Sequence, residues 1–150
     1  MTWQTAFTVI NALVLPAWAM LVFLPKAKIT STLVHSMLWP LIMGGIYTIS
    51  LVAALFFGLS HPDAGFTMDG VTALFQHPNG VITGWSHYLV FDLFVGAWIG
   101  RDSQRLGIPH WQTLPCILFS FLFGPVGLFL YALLRFAHGK SFSLIEDKSA

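Results

Sequence analysis

Charge is what this 150-residue sequence has least of: 9% of its residues are Asp, Glu, Lys or Arg, against roughly 25% in soluble domains. With 56% hydrophobic residues, such a chain cannot cover its surface with polar groups, which points to an integral membrane protein of one small domain. Seven basic and six acidic residues leave a net charge of +1; without a polyelectrolyte signature, no nucleic-acid partner is expected. The single cysteine, Cys116, excludes an intrachain disulfide and leaves the redox compartment open. There is also no glycine-rich nucleotide loop, no His-x-x-x-His pair and no cysteine cluster. No cofactor is therefore expected, and a haem or metal would have to draw on His35, His87 or His110 from separate segments.

What is present is long apolar runs. Residues 5–25 carry no ionisable side chain, and at ~1.5 Å per residue they are long enough for a ~30 Å hydrocarbon core. The start MTWQTAF lacks the positive n-region of a signal peptide. Further runs over 33–59, 81–100 and 111–134 predict an all-α, polytopic protein: a bundle of four transmembrane helices and a tail, 135–150, expected to be mobile. Between the second and third runs, Phe66, Met68, Val71, Leu74 and Phe75 suit a short amphipathic helix at the interface or over a cavity. Pro16, Pro40, Gly44-Gly45 and Gly124-Pro125-Val126-Gly127 mark bends or close approaches. Lys26 and Lys28 precede the second span and Arg101 and Arg105 the fourth, so both loops are expected on the cytoplasmic side with both termini outside; Arg135 and Lys140 argue the other way.

The stretch from Gly84 to Asp102 sets ionisable groups inside an apolar helix. A carboxylate near mid-membrane costs at least ~2.5–3.5 kcal/mol on insertion scales, so Asp92 marks a candidate functional site. At ~100° per residue it shares a face with Trp85, Tyr88, Gly96 and Ile99, and Tyr88 is placed to donate a hydrogen bond to it; His87 falls on a neighbouring face with Phe91 and Trp98. His35, about a turn inside its run, reads first as an interfacial histidine. Fourteen Phe and six Trp suit a long polyene, and equally suit ordinary membrane packing.

These residues resemble the neoxanthin synthase-like family, the "abscisic acid deficient 4"-like membrane proteins, collinearly from about Ala6 to Leu134. The resemblance is carried by Leu15-Pro16, Leu24-Pro25-Lys26-Ala27, the block from Trp85 to Phe94, Asp102, Pro109-His110 and Gly124-Pro125-Val126-Gly127. It implies a membrane protein of carotenoid or isoprenoid metabolism, where plant members are needed to turn an epoxide, violaxanthin, into the allenic neoxanthin without net redox change. An acid at the epoxide oxygen and a base at a C–H would serve that isomerisation. The implied catalytic set is Asp92 with His87 and Asp102, and the implied polyene-lining set is Trp85, Tyr88, Phe91, Trp98, Gly124, Pro125 and Gly127. The bound ligand would be a carotenoid, a retinoid or another isoprenoid, and the expected partners are the lipid membrane, that hydrophobic polyene and a larger membrane protein complex. With no transit-like extension before the first span, a bacterial inner membrane is the expected location. Two alternatives stand beside the isomerase: a non-catalytic pigment-binding or complex-stabilising subunit, and a haem-binding membrane protein.

Overall fold

Apolar periodicity, helix caps and glycines at the breaks fold this sequence into seven helices in the computed structural model, which describes residues 2–140 and Leu144. They are α1 (Trp3–Phe23), α2 (Lys28–Leu33), α3 (Leu38–Phe57), α4 (Met68–Gln76), α5 (Pro78–Arg105), α6 (His110–Phe123) and α7 (Pro125–Ala137), with no strand among the described residues. Thr2 starts α1 and Thr67 starts α4, each hydroxyl accepting a backbone N–H three residues on, at 3.1 Å. Pro78 opens α5 directly after α4, with His77 Nδ1 accepting from Asn79 N. Gly58 ends α3 in the left-handed region at φ +67°.

The bundle is organised around α5. It is 28 residues long, about 42 Å at 1.5 Å per residue, and every other long helix packs against it. α1 runs alongside it in the same direction, with Phe7 on Trp85 near one end and Trp18 against Gly96, then Leu21 against Gly100, towards the other. A methyl at position 96 would meet the Trp18 ring at 2.5 Å, so the glycine is what lets the two helices approach. α3 runs the opposite way: Asn79 Nδ2 donates to Ser50 O (2.9 Å) and Leu59 O (3.0 Å) at one end, and His35, just before α3, lies beside Gly100 at the other. α1 and α3 are the two described helices long and apolar enough to cross a membrane by themselves.

The sequence reading places a single span over 111–134, and here the structure differs. The segment is two half-length helices, α6 and α7, folded back on each other about Gly124, whose φ is +47° and ψ −93°. Gly127 makes the fold-back possible, because a methyl there would run into the Ser120 backbone and the Cys116 carbonyl on α6. At 14 and 13 residues, the two arms reach only about 20 Å each. The expected four-span bundle is thus three long helices and a hairpin, while the expected short helix between the second and third spans is α4.

Fold-back also corrects the expected orientation. Lys26, Lys28, Arg101, Arg105, Arg135 and Lys140 all fall at the end of the bundle where α1, α5 and α7 finish; Gln104 bonds Pro25 O there (3.0 Å), His110 bonds Val22 O (2.9 Å) and Arg135 reaches Asp102. The start of α1 lies at the opposite end, so the chain's two described ends are on opposite sides rather than together. Of the tail expected to be mobile, Arg135 to Ala137 belong to α7 and Arg135 is buried; residues 141–143 and 145–150 lie outside the described residues.

Candidate functional site

Asp92 sits midway along α5 and is 8% exposed. The tip of the α6–α7 hairpin closes over it: the Gly124 backbone is packed on the Asp92 carboxyl so tightly that any side chain at 124 would collide with it. Ser120 Oγ reaches the Asp92 carbonyl at 3.5 Å, and α7 begins at Pro125, so its first turn faces the carboxyl with the positive end of the helix dipole. The carboxyl oxygen Oδ2 is buried and has no hydrogen-bond partner among the described residues. An orphaned buried carboxyl oxygen costs free energy of the order of 1–3 kcal/mol, so its retention calls for a role.

Tyr88 stands one turn before Asp92, with its hydroxyl in hydrogen-bonding reach of the Asp92 carboxyl, as the sequence reading expects. The same hydroxyl lies 3.0 Å from Leu122 O, at the end of α6. The residues exposed around the tip are Leu122, Phe123, Pro125 and Val126, an apolar rim.

The other two members of the expected catalytic set are elsewhere. His87 is exposed on the α3 side of α5, with its ring 4.8 Å from Phe91 and 5.7 Å from Tyr47. It lines a groove of about 420 Å³ with Pro40, Gly44, Tyr47, Thr48, Val90, Phe91 and Phe94. Five residues separate it from Asp92, a turn of about 140° on a helix, which keeps the two groups from facing one another. Asp102 lies ten residues beyond Asp92, about 15 Å along α5. It is 2% exposed and fully engaged: Oδ1 pairs with Arg105 Nη2 at 2.7 Å, and Oδ2 accepts from Tyr131 Oη at 2.6 Å and pairs with Arg135 Nε at 3.1 Å. Asp102 therefore clasps the base of α7 to α5.

The expected polyene-lining residues divide in the same way. Trp85 packs between Phe7 and Tyr88 and donates from Nε1 to Asn11 Oδ1 at 3.0 Å, on the α1 side. Trp98 meets Tyr131 edge-on at 5.4 Å with the Arg135 guanidinium 5.9 Å from its ring, so it belongs to the clasp. Phe91 lines the groove, and Tyr88, Gly124, Pro125 and Gly127 form or brace the tip. Ser120, Tyr131 and Arg135 are missed by the sequence reading, although a basic residue ending an apolar run is a visible sign that the run returns to the basic side. Among the described residues no group of three or more His, Cys, Asp or Glu gathers as metal ligands would, and His110 is bonded to Val22 O.

A family model described as ABA DEFICIENT 4-like matches residues 5–131. Protein ABA DEFICIENT 4, chloroplastic, of Arabidopsis thaliana is 27% identical over 130 residues, covering 83% of this chain and 58% of that protein, so the chain spans little more than half of that relative's length. No solved structure matches. That relative is chloroplastic, which overturns the expectation of a bacterial inner membrane drawn from the absence of a transit-like extension.

Proposed function

Because the chain belongs to the ABA DEFICIENT 4-like family, we propose that it is a membrane protein of carotenoid metabolism that isomerises a polyene at Asp92, without a redox cofactor. In this reading α1, α3 and α5 cross the bilayer and the α6–α7 hairpin enters it from the basic end to about mid-depth, where irregular backbone is tolerated only against protein. The basic end faces the side from which the chain is inserted. The observation that carries the assignment is the Asp92 carboxyl oxygen left without a partner beneath the hairpin tip.

With His87 and Asp102 turned elsewhere, one carboxyl has to close the proton balance. A protonated Asp92 gives its proton to an epoxide oxygen as the C–O bond breaks, and its other oxygen takes a proton from the chain carbon whose C–H electrons become the new double bond. Epoxide becomes alcohol, no electrons are gained or lost, and Asp92 ends protonated as it began. Gly124 keeps the space over the carboxyl free of side chain, the Tyr88 hydroxyl holds the carboxyl and Ser120 the Asp92 backbone carbonyl, and the apolar rim of Leu122, Phe123, Pro125 and Val126 excludes water and suits a polyene arriving from the lipid.

A second reading, a pigment-holding subunit without turnover, draws on the groove of Tyr47, His87 and Phe91, which is apolar and separate from Asp92. Expression in cells that accumulate epoxidised carotenoids distinguishes the two. The isomerase produces a new chromatographic peak of unchanged mass; the subunit changes pigment amount alone, and an unchanged profile across several carotenoid backgrounds removes both.

A further inference from the structure

At the basic end, a cavity of about 440 Å³ is bounded by Lys26, Ser31, His35, Arg101 and Gln104 among others. His35 and Arg101 also line a second cavity of about 240 Å³, which leads between α3 and α5 past Trp39 and Leu93. That cavity shares Pro40, Val90 and Phe94 with the 420 Å³ groove that continues to Tyr47 and Phe91. The three adjoin through these shared residues, basic at the Lys26 end and apolar at the Tyr47 end. From Arg101 to His87 is fourteen residues of α5, about 21 Å, more than the ~15 Å depth of one leaflet of a ~30 Å core.

The mouth is rich in donors and has no acidic residue in its lining. Both ring nitrogens of His35 and the Trp39 Nε1 are buried without hydrogen-bond partners. Neither Lys26 nor Arg101 has an ion pair among the described residues. Asp102, next in the chain to Arg101, is already held by Arg105, Tyr131 and Arg135. Burial, and after it the Arg101 charge, hold the His35 imidazole below its ordinary pKa of 6.5.

We propose that these adjoining cavities bind a membrane lipid with a phosphate-bearing, net anionic headgroup. The phosphate takes its charge-assisted hydrogen bonds from Lys26, His35 and Arg101, and one acyl chain lies along the α3–α5 groove. A neutral polyene has no use for the cations at the mouth, and a free phosphate has no use for the groove, so the combination selects a charged amphiphile. The site is distinct from Asp92, which lies on another face of α5, and it stands whether or not Asp92 is catalytic.

The test places the full chain in nanodiscs of phosphatidylcholine doped with phosphatidylglycerol, extracts it in mild detergent and measures the retained lipid by mass spectrometry. Phosphatidylglycerol should be enriched over its bulk fraction by roughly tenfold, the worth of one or two near-surface cations. Lys26→Gln with Arg101→Gln should abolish the enrichment while circular dichroism and melting stay unchanged, and His35→Gln alone should reduce it should the double variant misfold. Equal retention of the two lipids, enrichment surviving in the folded variants, or complete competition by millimolar inorganic phosphate would each overturn the proposal.

Discussion

Gly124 and Asp92 are in direct contact: the backbone at the tip of the α6–α7 hairpin rests on the carboxyl group at the middle of α5, with no room for a side chain between them. Contact at this point joins two halves of the sequence and converts a buried carboxyl into a covered one. It also makes residue 124 sensitive twice over, once for its positive φ and once for what lies beneath it.

Gly124→Ala should therefore destabilise the protein and disturb the Asp92 site together. The matched control is Gly107→Ala, which has φ +72° but nothing within 4 Å of the added methyl. Melting in detergent should show a loss of roughly 1–2 kcal/mol for the control, from the backbone alone, and about 1–3 kcal/mol more for position 124, from overpacking. Equal losses would mean that the tip does not bear on Asp92.

Asp102→Ala removes the carboxylate that Arg105 and the buried Arg135 share. Breaking a buried pair of this kind costs about 3–5 kcal/mol, whereas Tyr131→Phe removes one hydrogen bond for about 0.5–1.5 kcal/mol. Unfolding followed in detergent should rank the two in that order, and should show increased cysteine reactivity at Cys116, which is buried on α6, only for Asp102→Ala.

Topology is checked by impermeant thiol labelling in a Cys116→Ser background. Ser31→Cys and Gly139→Cys should be labelled from one side and Asp63→Cys from the other, because α7 returns to the end where α1 and α5 finish. Labelling of positions 63 and 139 from the same side would restore the continuous fourth span.

Why the hairpin was not legible follows from its residues. The run from Trp111 to Leu134 has no charged side chain and is long enough to cross, and Gly124-Pro125-Val126-Gly127 reads equally as a kink or as a reversal. What decides for reversal is packing between the arms, Gly127 on Ser120 and Cys116, and no local pattern encodes that pairing. The charges did encode it: Arg135 and Lys140 conflict with a fourth crossing and agree with a return. Asp92 was legible because a carboxylate in an apolar helix is conspicuous, as was its face with Tyr88. Helical spacing alone also separates His87 from Asp92, and only the family resemblance groups them as one catalytic set.

Stability should depend on pH through His35. Its folded pKa is held below the unfolded value of 6.5, so in the window between the two the unfolded chain binds a proton that the folded chain does not. Stability from this group is then complete above about pH 6.5 and falls as the pH drops towards the lowered value. Melting temperatures of lipid-free protein between pH 7.5 and 5 should fall in wild type, and fall less in His35→Gln.

The most direct measurement is the carotenoid product of two single variants, assayed in cells that supply an epoxidised carotenoid and normalised to the amount of folded protein. Asp92→Asn keeps the shape and removes the proton, and should abolish the isomeric product, while His87→Ala, on the opposite groove, should retain it. A product that survives Asp92→Asn and disappears with His87→Ala would move the chemistry to the α3–α5 groove and contradict the account.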